Sequence, residues 1–232
     1  MKKDKKNEKF NQIVNIIQTK ASIKQLIYRN TYSAFELLKN KAKEVIDDLI
    51  LEEKKFDENV LITFTEKGVF EFELIIGGDV ILFQMHSNVF DFDQSHLIHQ
   101  SSYVKEDPNR SYCGMINIFN FLADSVKYNR FDDSAYLIGR AFINMDNHFF
   151  LEGKRQLNFI HNDFINETID QACVKDIVQN SILYSMDFDL FTPPYSNVQE
   201  ISVGQLLQEA SGMRQKTGKR MGYKFSYEGG EM

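Results

Sequence analysis

The sequence contains no tryptophan, three prolines and two cysteines in 232 residues, and no uninterrupted apolar run approaches the ~18 residues of a membrane helix. Each scarcity excludes a class. Cys113 and Cys173 show neither CxxC nor secreted-framework spacing, so they read as reduced core thiols of a cytoplasmic protein rather than as a disulfide framework. Basic residues are in deficit, 27 against 33 acidic ones, so the surface as a whole is not built for a polyanion and any nucleic-acid contact must be local. The basic stretch Met1 to Lys9 is not followed by an apolar h-region, because Lys20 and Lys24 interrupt the next segment, and no signal peptide is expected. Phosphate-binding glycine motifs are absent too.

What the chain has in quantity is aromatic: 20 Phe and 10 Tyr predict an aromatic core. Phe10, Ile13, Val14, Ile17, Ala21, Ile23 and Ile27 fall at helical spacing. The pattern breaks around Asn30 to Ser33, where Ser33 and Glu36 fit a capping box, and restarts at Phe35, Leu38, Ala42, Val45, Ile46 and Leu49. This predicts a helical hairpin, or one long kinked helix.

Residues 59 to 86 predict a three-stranded meander. Glu66-Lys67-Gly68 fits a hairpin loop with a left-handed glycine, and Gly77-Gly78 fits a two-residue loop. With those turns Phe64 faces Phe70, Ile62 faces Phe72 and Val60 faces Leu74, while Leu74 faces Ile81, Phe72 faces Phe83 and Phe70 faces Met85. These apolar side chains share one face, and Thr63, Thr65, Glu71, Glu73 and Gln84 share the other, which is expected to be open. Residues 87 to 106 look irregular, the mark of a functional or mobile segment, with a helical turn near Ser95 to Gln100.

Asp107 as N-cap, Pro108 as first helical residue and a stripe at Tyr112, Met115, Phe119, Leu122 and Val126 predict a helix over 108–127, although Cys113 to Phe121 would also alternate as a strand. Strands follow at Tyr136 to Ile143 and His148 to Glu152, then a helix from Asp170 to Met186 and a last one starting at Ser202. The fold class is α+β, an antiparallel sheet of a three-stranded meander plus two further strands packed against helices. It divides as an N-terminal helical hairpin (1–53), an α+β core (54–190) and a C-terminal helix with a basic tail (191–232), within one globular unit. This element order resembles the small α/β fold of type III secretion chaperones and YbjN-like proteins over residues 33 to 186. That resemblance implies protein binding, commonly as a homodimer, without catalysis.

Residues that could carry chemistry are few. His96 and His99, with Asp91 and Asp93 before them, could supply nitrogen and oxygen donors to a metal in a hydrolase, against the simpler reading as solvated loop residues. Asp187 and Asp189 form a second acidic pair. No nucleophile elbow occurs, and no cofactor is implied. Arg214, Lys216, Lys219, Arg220 and Lys224 are interleaved with Tyr223 and other rings in the tail, a composition suited to single-stranded RNA or to a solvated tail balancing an acidic body. The leading expectation is a non-enzymatic, homodimeric protein-binding module of adaptor or chaperone type. Its partner would be a protein of unknown identity, met through Ile13, Ile17 and Ile27 and through Glu71 and Glu73 of the open sheet face.

Overall fold

The first 51 residues hold neither proline nor glycine, the two residues that most oppose a helix interior, and Lys2 to Leu51 form one continuous helical rod. The computed structural model describes residues 2–187, 190–192, 194–204 and 218–219. The rod comprises α1 (Lys2–Ile16), a π-helical turn (Ile17–Ala21) and α2 (Ser22–Leu51). It is the long helix rather than the hairpin: Ser33 lies mid-helix, its capping box does not form, and Glu36 instead accepts from Lys39 Nζ at 2.8 Å. The wide turn inserts one residue, about 100° of rotation, so the apolar stripe before it does not continue in line with the stripe after it.

A six-stranded antiparallel meander follows, in sequence order: β1 (Ile62–Gly68), β2 (Glu71–Ile76), β3 (Asp79–Met85), β4 (Gly114–Leu122), β5 (Tyr136–Ile143) and β6 (Phe149–Gly153). α5 (Gln171–Met186) then returns beside α2, and both helices cover the same sheet face. Between them lie α3 (Ser102–Glu106) and α4 (Ala123–Lys127), with α6 (Tyr195–Val198) and the small pair β7 (Leu190–Phe191) and β8 (Gly218–Lys219) after α5. Leu206, Leu207 and Ala210 of the expected last helix lie outside the described residues.

Residues 108–127 do not form one helix, and only their last turn, α4, is α-helical. Asp107 does cap, accepting from Asn109 N–H at 2.9 Å, and Pro108 does open a helical turn, but that turn ends at Ser111. β4 follows, bonded to β3 on one side and β5 on the other, so every backbone group has a ladder available on both sides. Gly114 shows why the strand wins. A glycine weakens a helix, whereas here it lets α2 approach: a Cβ at Gly114 would lie 2.0 Å from Thr31 Oγ1.

In the first hairpin the pairing differs from expectation and the face does not. Val69 and Phe70 make the turn, β1 carries an irregularity between Glu66 and Gly68, and Gly68 is not left-handed. Phe64 therefore faces Leu74 instead of Phe70, and Ile62 faces Ile76 instead of Phe72. The slip is four residues, and an even slip returns each side chain to its own face. Phe64, Phe72 and Phe83 still stack, at 5.7 and 4.7 Å between centroids, with Phe35 of α2 at 5.4 Å from Phe72. The second hairpin has the expected register, with Leu74 opposite Ile81, Phe72 opposite Phe83 and Gly77 left-handed at φ +58°.

The segment between β3 and β4 is structural, laying a second, smaller core on the back face of β4–β6. Phe92 packs edge-on against Phe142 at 5.0 Å, Phe142 stacks on Phe150, and Ile98, Val104, Cys113 and Phe164 close the layer. Among the described residues the back face is thus left uncovered over its β1–β3 half.

Candidate interaction site

The covered stripe of the rod begins at Ile27 and runs through Thr31, Ala34, Phe35, Leu38, Ala42, Val45 and Ile46. Ile27 is fully buried and belongs to the core, which corrects its expected place on an interface. Before it the rod leaves the body. Two side chains mark the departure, Lys20 and Lys24, whose ammonium groups lie 5.5 and 5.3 Å from the Tyr112 ring. Beyond them Phe10, Ile13, Ile16 and Ile17 are all more than half exposed, at 62, 55, 56 and 56%. Ile13 and Ile17 are thus exposed, together with Phe10 and Ile16. Four large bare apolar side chains within eight residues form a patch, not scattered exposure.

A second surface was not anticipated. At the other end of the rod, the turn Glu53–Lys55 and the approach to β1 surround an open concavity of about 550 Å³ lined by Ile50, Glu53, Phe56, Asp57, Glu58 and Val60 among others. Its lining mixes apolar side chains with three carboxylates, Glu53, Asp57 and Glu58, against one lysine, Lys54. The Asn59 N–H, at 2.9 Å, and the Asn59 side-chain amide hold the Asp57 carboxyl below the ordinary range. The legible signal was the run Glu52-Glu53 followed by Phe56-Asp57-Glu58, acidic and apolar residues mixed without a helical or strand period.

The remaining expected positions are tied down locally. Glu71 and Glu73 do project from the back face, but Glu71 accepts from Gln84 at 3.2 Å, and Glu73 is bridged by Lys67 Nζ at 2.8 Å with its side chain only 12% exposed. Asp91 accepts from Ser111 Oγ at 2.8 Å, and Asp93 accepts from Ser95 N–H and Oγ–H. His96 stacks on Phe92 and its Nδ1 accepts from Ile98 N–H, while His99 Nε2 lies 3.1 Å from the Phe92 carbonyl. The four do not converge, and among the described residues no three His, Cys, Asp or Glu side chains are grouped to hold a metal. Asp187 caps α5 and pairs with Arg155, and Asp189 is outside the described residues.

Cys113 is fully buried beside β4, where loss of solvent and then the Asp91 charge push its thiol up. Cys173 is half-buried at the start of α5, and burial, reinforced by Asp170, pushes it up to about 11. Neither has the depressed pKa of a nucleophile. His161, in the left-handed region at φ +54°, has Nδ1 3.4 Å from Glu167 and Nε2 3.3 Å from Asp176, without a well-formed hydrogen bond to either.

The densest polar network is a fastening. Buried Asn144 accepts from the N–H groups of Asp146 and His148 and donates to the Tyr103 hydroxyl at 3.0 Å and the Arg110 carbonyl at 3.3 Å. Asn30 of α2 donates to the carbonyls of Asn144 and Met145. Tyr103 lies between the Arg110 guanidinium and the His148 ring, at 4.3 and 4.7 Å, and donates to Asp146 at 2.7 Å. These contacts join rod, β5–β6 turn and back-face cover.

Of the tail, Lys219 lies in β8, whose backbone pairs with Leu190 and Phe191; Arg214, Lys216, Arg220, Tyr223 and Lys224 lie outside the described residues. No helix among the described residues is long and apolar enough to cross a membrane. No protein-family model matches the chain, and neither a curated protein nor a solved structure matches it.

Proposed function

We propose that this chain is a non-enzymatic protein-binding module of adaptor or chaperone type that works as a homodimer, with α1 and the π-helical turn as its docking arm. One observation carries the reading: a helix continuous with the core presents Phe10, Ile13, Ile16 and Ile17 bare, just beyond the point where the same rod starts to be covered. Burying an apolar side chain of this size contributes about 1.5–3 kcal/mol, so the four together favour association by an amount comparable to its cost. Light scattering on the full chain at micromolar concentration tests it. A dimer is expected, and Ile13→Asp with Ile17→Asp should convert it to a monomer of unchanged helix content. A wild-type monomer overturns the dimer, and a dimer indifferent to both substitutions overturns the arm.

A further inference from the structure

The two bare surfaces sit at opposite ends of one rod and are complementary. Residues 2 to 24 contain seven lysines against two acidic residues, and residues 47 to 58 contain six carboxylates against two lysines. Each end also exposes large apolar groups, Phe10, Ile13, Ile16 and Ile17 at the first, Ile50, Leu51, Phe56, Val60 and Leu61 at the second. Within one molecule they cannot meet. From Ile13 to Ile50 the chain is helical without a break, which at 1.5 Å per residue separates them by about 55 Å.

We propose that the acidic concavity between Ile50 and Ile62 is the seat of the basic arm of a second copy of this chain, with the two rods antiparallel so that both contacts form at once. A two-fold pair of this kind closes on itself, uses the same two patches on each subunit, and sets the helix dipoles against one another. Apolar side chains such as Phe10 and Ile13 enter the concavity, and the arm lysines face Glu53, Asp57 and Glu58 in its lining. The ion pairs set orientation and register, and the apolar groups supply most of the affinity.

This inference rests on the dimeric reading above and adds where the arm goes. Sedimentation of the full chain at low salt reads the effect. Glu53→Lys with Glu58→Lys should weaken the dimer by about tenfold or more, as should Lys5→Glu with Lys9→Glu, and the two sets combined in one chain should restore it to within about threefold. A direct readout uses two Cys173→Ser proteins, one carrying Ile13→Cys and the other Val60→Cys, mixed and oxidised. Disulfide-linked heterodimers are expected, sensitive to salt added before oxidation. A dimer that forms yet ignores the charge reversals and yields no such cross-link overturns this seat while leaving the docking arm standing. A wild-type protein that stays monomeric overturns both.

Discussion

One rod carries two apolar stripes of similar spacing, and they meet opposite fates. From Ile27 to Ile46 the stripe is buried against the sheet and α5; from Phe10 to Ile17 it is bare. Both are built of large apolar side chains at helical spacing. What differs is whether a sheet lies beneath, and the sheet ends where Asn30 reaches the turn after β5 and where Lys20 and Lys24 close over Tyr112. Amphipathic periodicity therefore reports a helix with a partner without saying whether the partner is the chain itself.

The sharpest way to break the contrast is to treat both stripes alike. Ile27→Ala and Phe35→Ala should each cost about 3–4 kcal/mol in urea unfolding, because buried transfer and cavity terms add. Ile13→Ala and Ile17→Ala, measured at high dilution, should stay within about 0.5 kcal/mol of wild type. Equal losses at the two ends would show the arm to be covered within its own chain. Next in size is Gly114→Ala, which forces a methyl group into Thr31 and should cost about 3 kcal/mol, partly recovered by adding Thr31→Ala.

Asn144→Ala tests the fastening at the boundary between the stripes. It should cost about 2 kcal/mol, since two N–H donors and the Arg110 carbonyl lose their partner in a buried site. Tyr103 gives that fastening a pH signature. Burial, with Asn144 opposing and Asp146 assisting, pushes its phenol up to about 12 from the ordinary 10. A raised value in the folded state means stability fully present below pH 10 and lost as pH rises towards 12. Across that window the urea midpoint of the wild type should fall more steeply than that of Tyr103→Phe; parallel curves would remove Tyr103 from the network. The smallest effect belongs to Arg140→Ala, whose pair with Glu152 is solvent-exposed and should be worth under about 0.5 kcal/mol.

Much of this was legible in advance where local chemistry and tertiary context agree. β5 has the bounds expected, Tyr136 to Ile143, and α5 follows Asp170 as expected, with the Asp170 side chain capping it by accepting from Cys173 N–H at 2.8 Å. Elsewhere two local signals competed. Asp107-Pro108 announced a helix and delivered one turn, while Ile116 and Ile118, β-branched and two apart, carried the strand that followed. The exposed apolar surfaces were half legible. Ile13 and Ile17 could be named from spacing, but Ile27 could not be separated from them without the sheet that covers it. The concavity at Ile50 to Ile62 has no sequence period, because its walls come from a helix end, a turn and a strand start.

By itself the sequence determined which side chains share a face. Side-chain direction alternates with period two in a strand, so even a four-residue slip in the first hairpin left Phe64, Phe72 and Phe83 in one stack. It also determined the unbroken rod, through the absence of glycine and proline. Only the tertiary structure decided that residues 114–122 complete the sheet, because a strand between two open edges satisfies both sides of its backbone at once. It alone decided where the rod stops being core and becomes an arm, because burial depends on what lies opposite a residue and not on the residue.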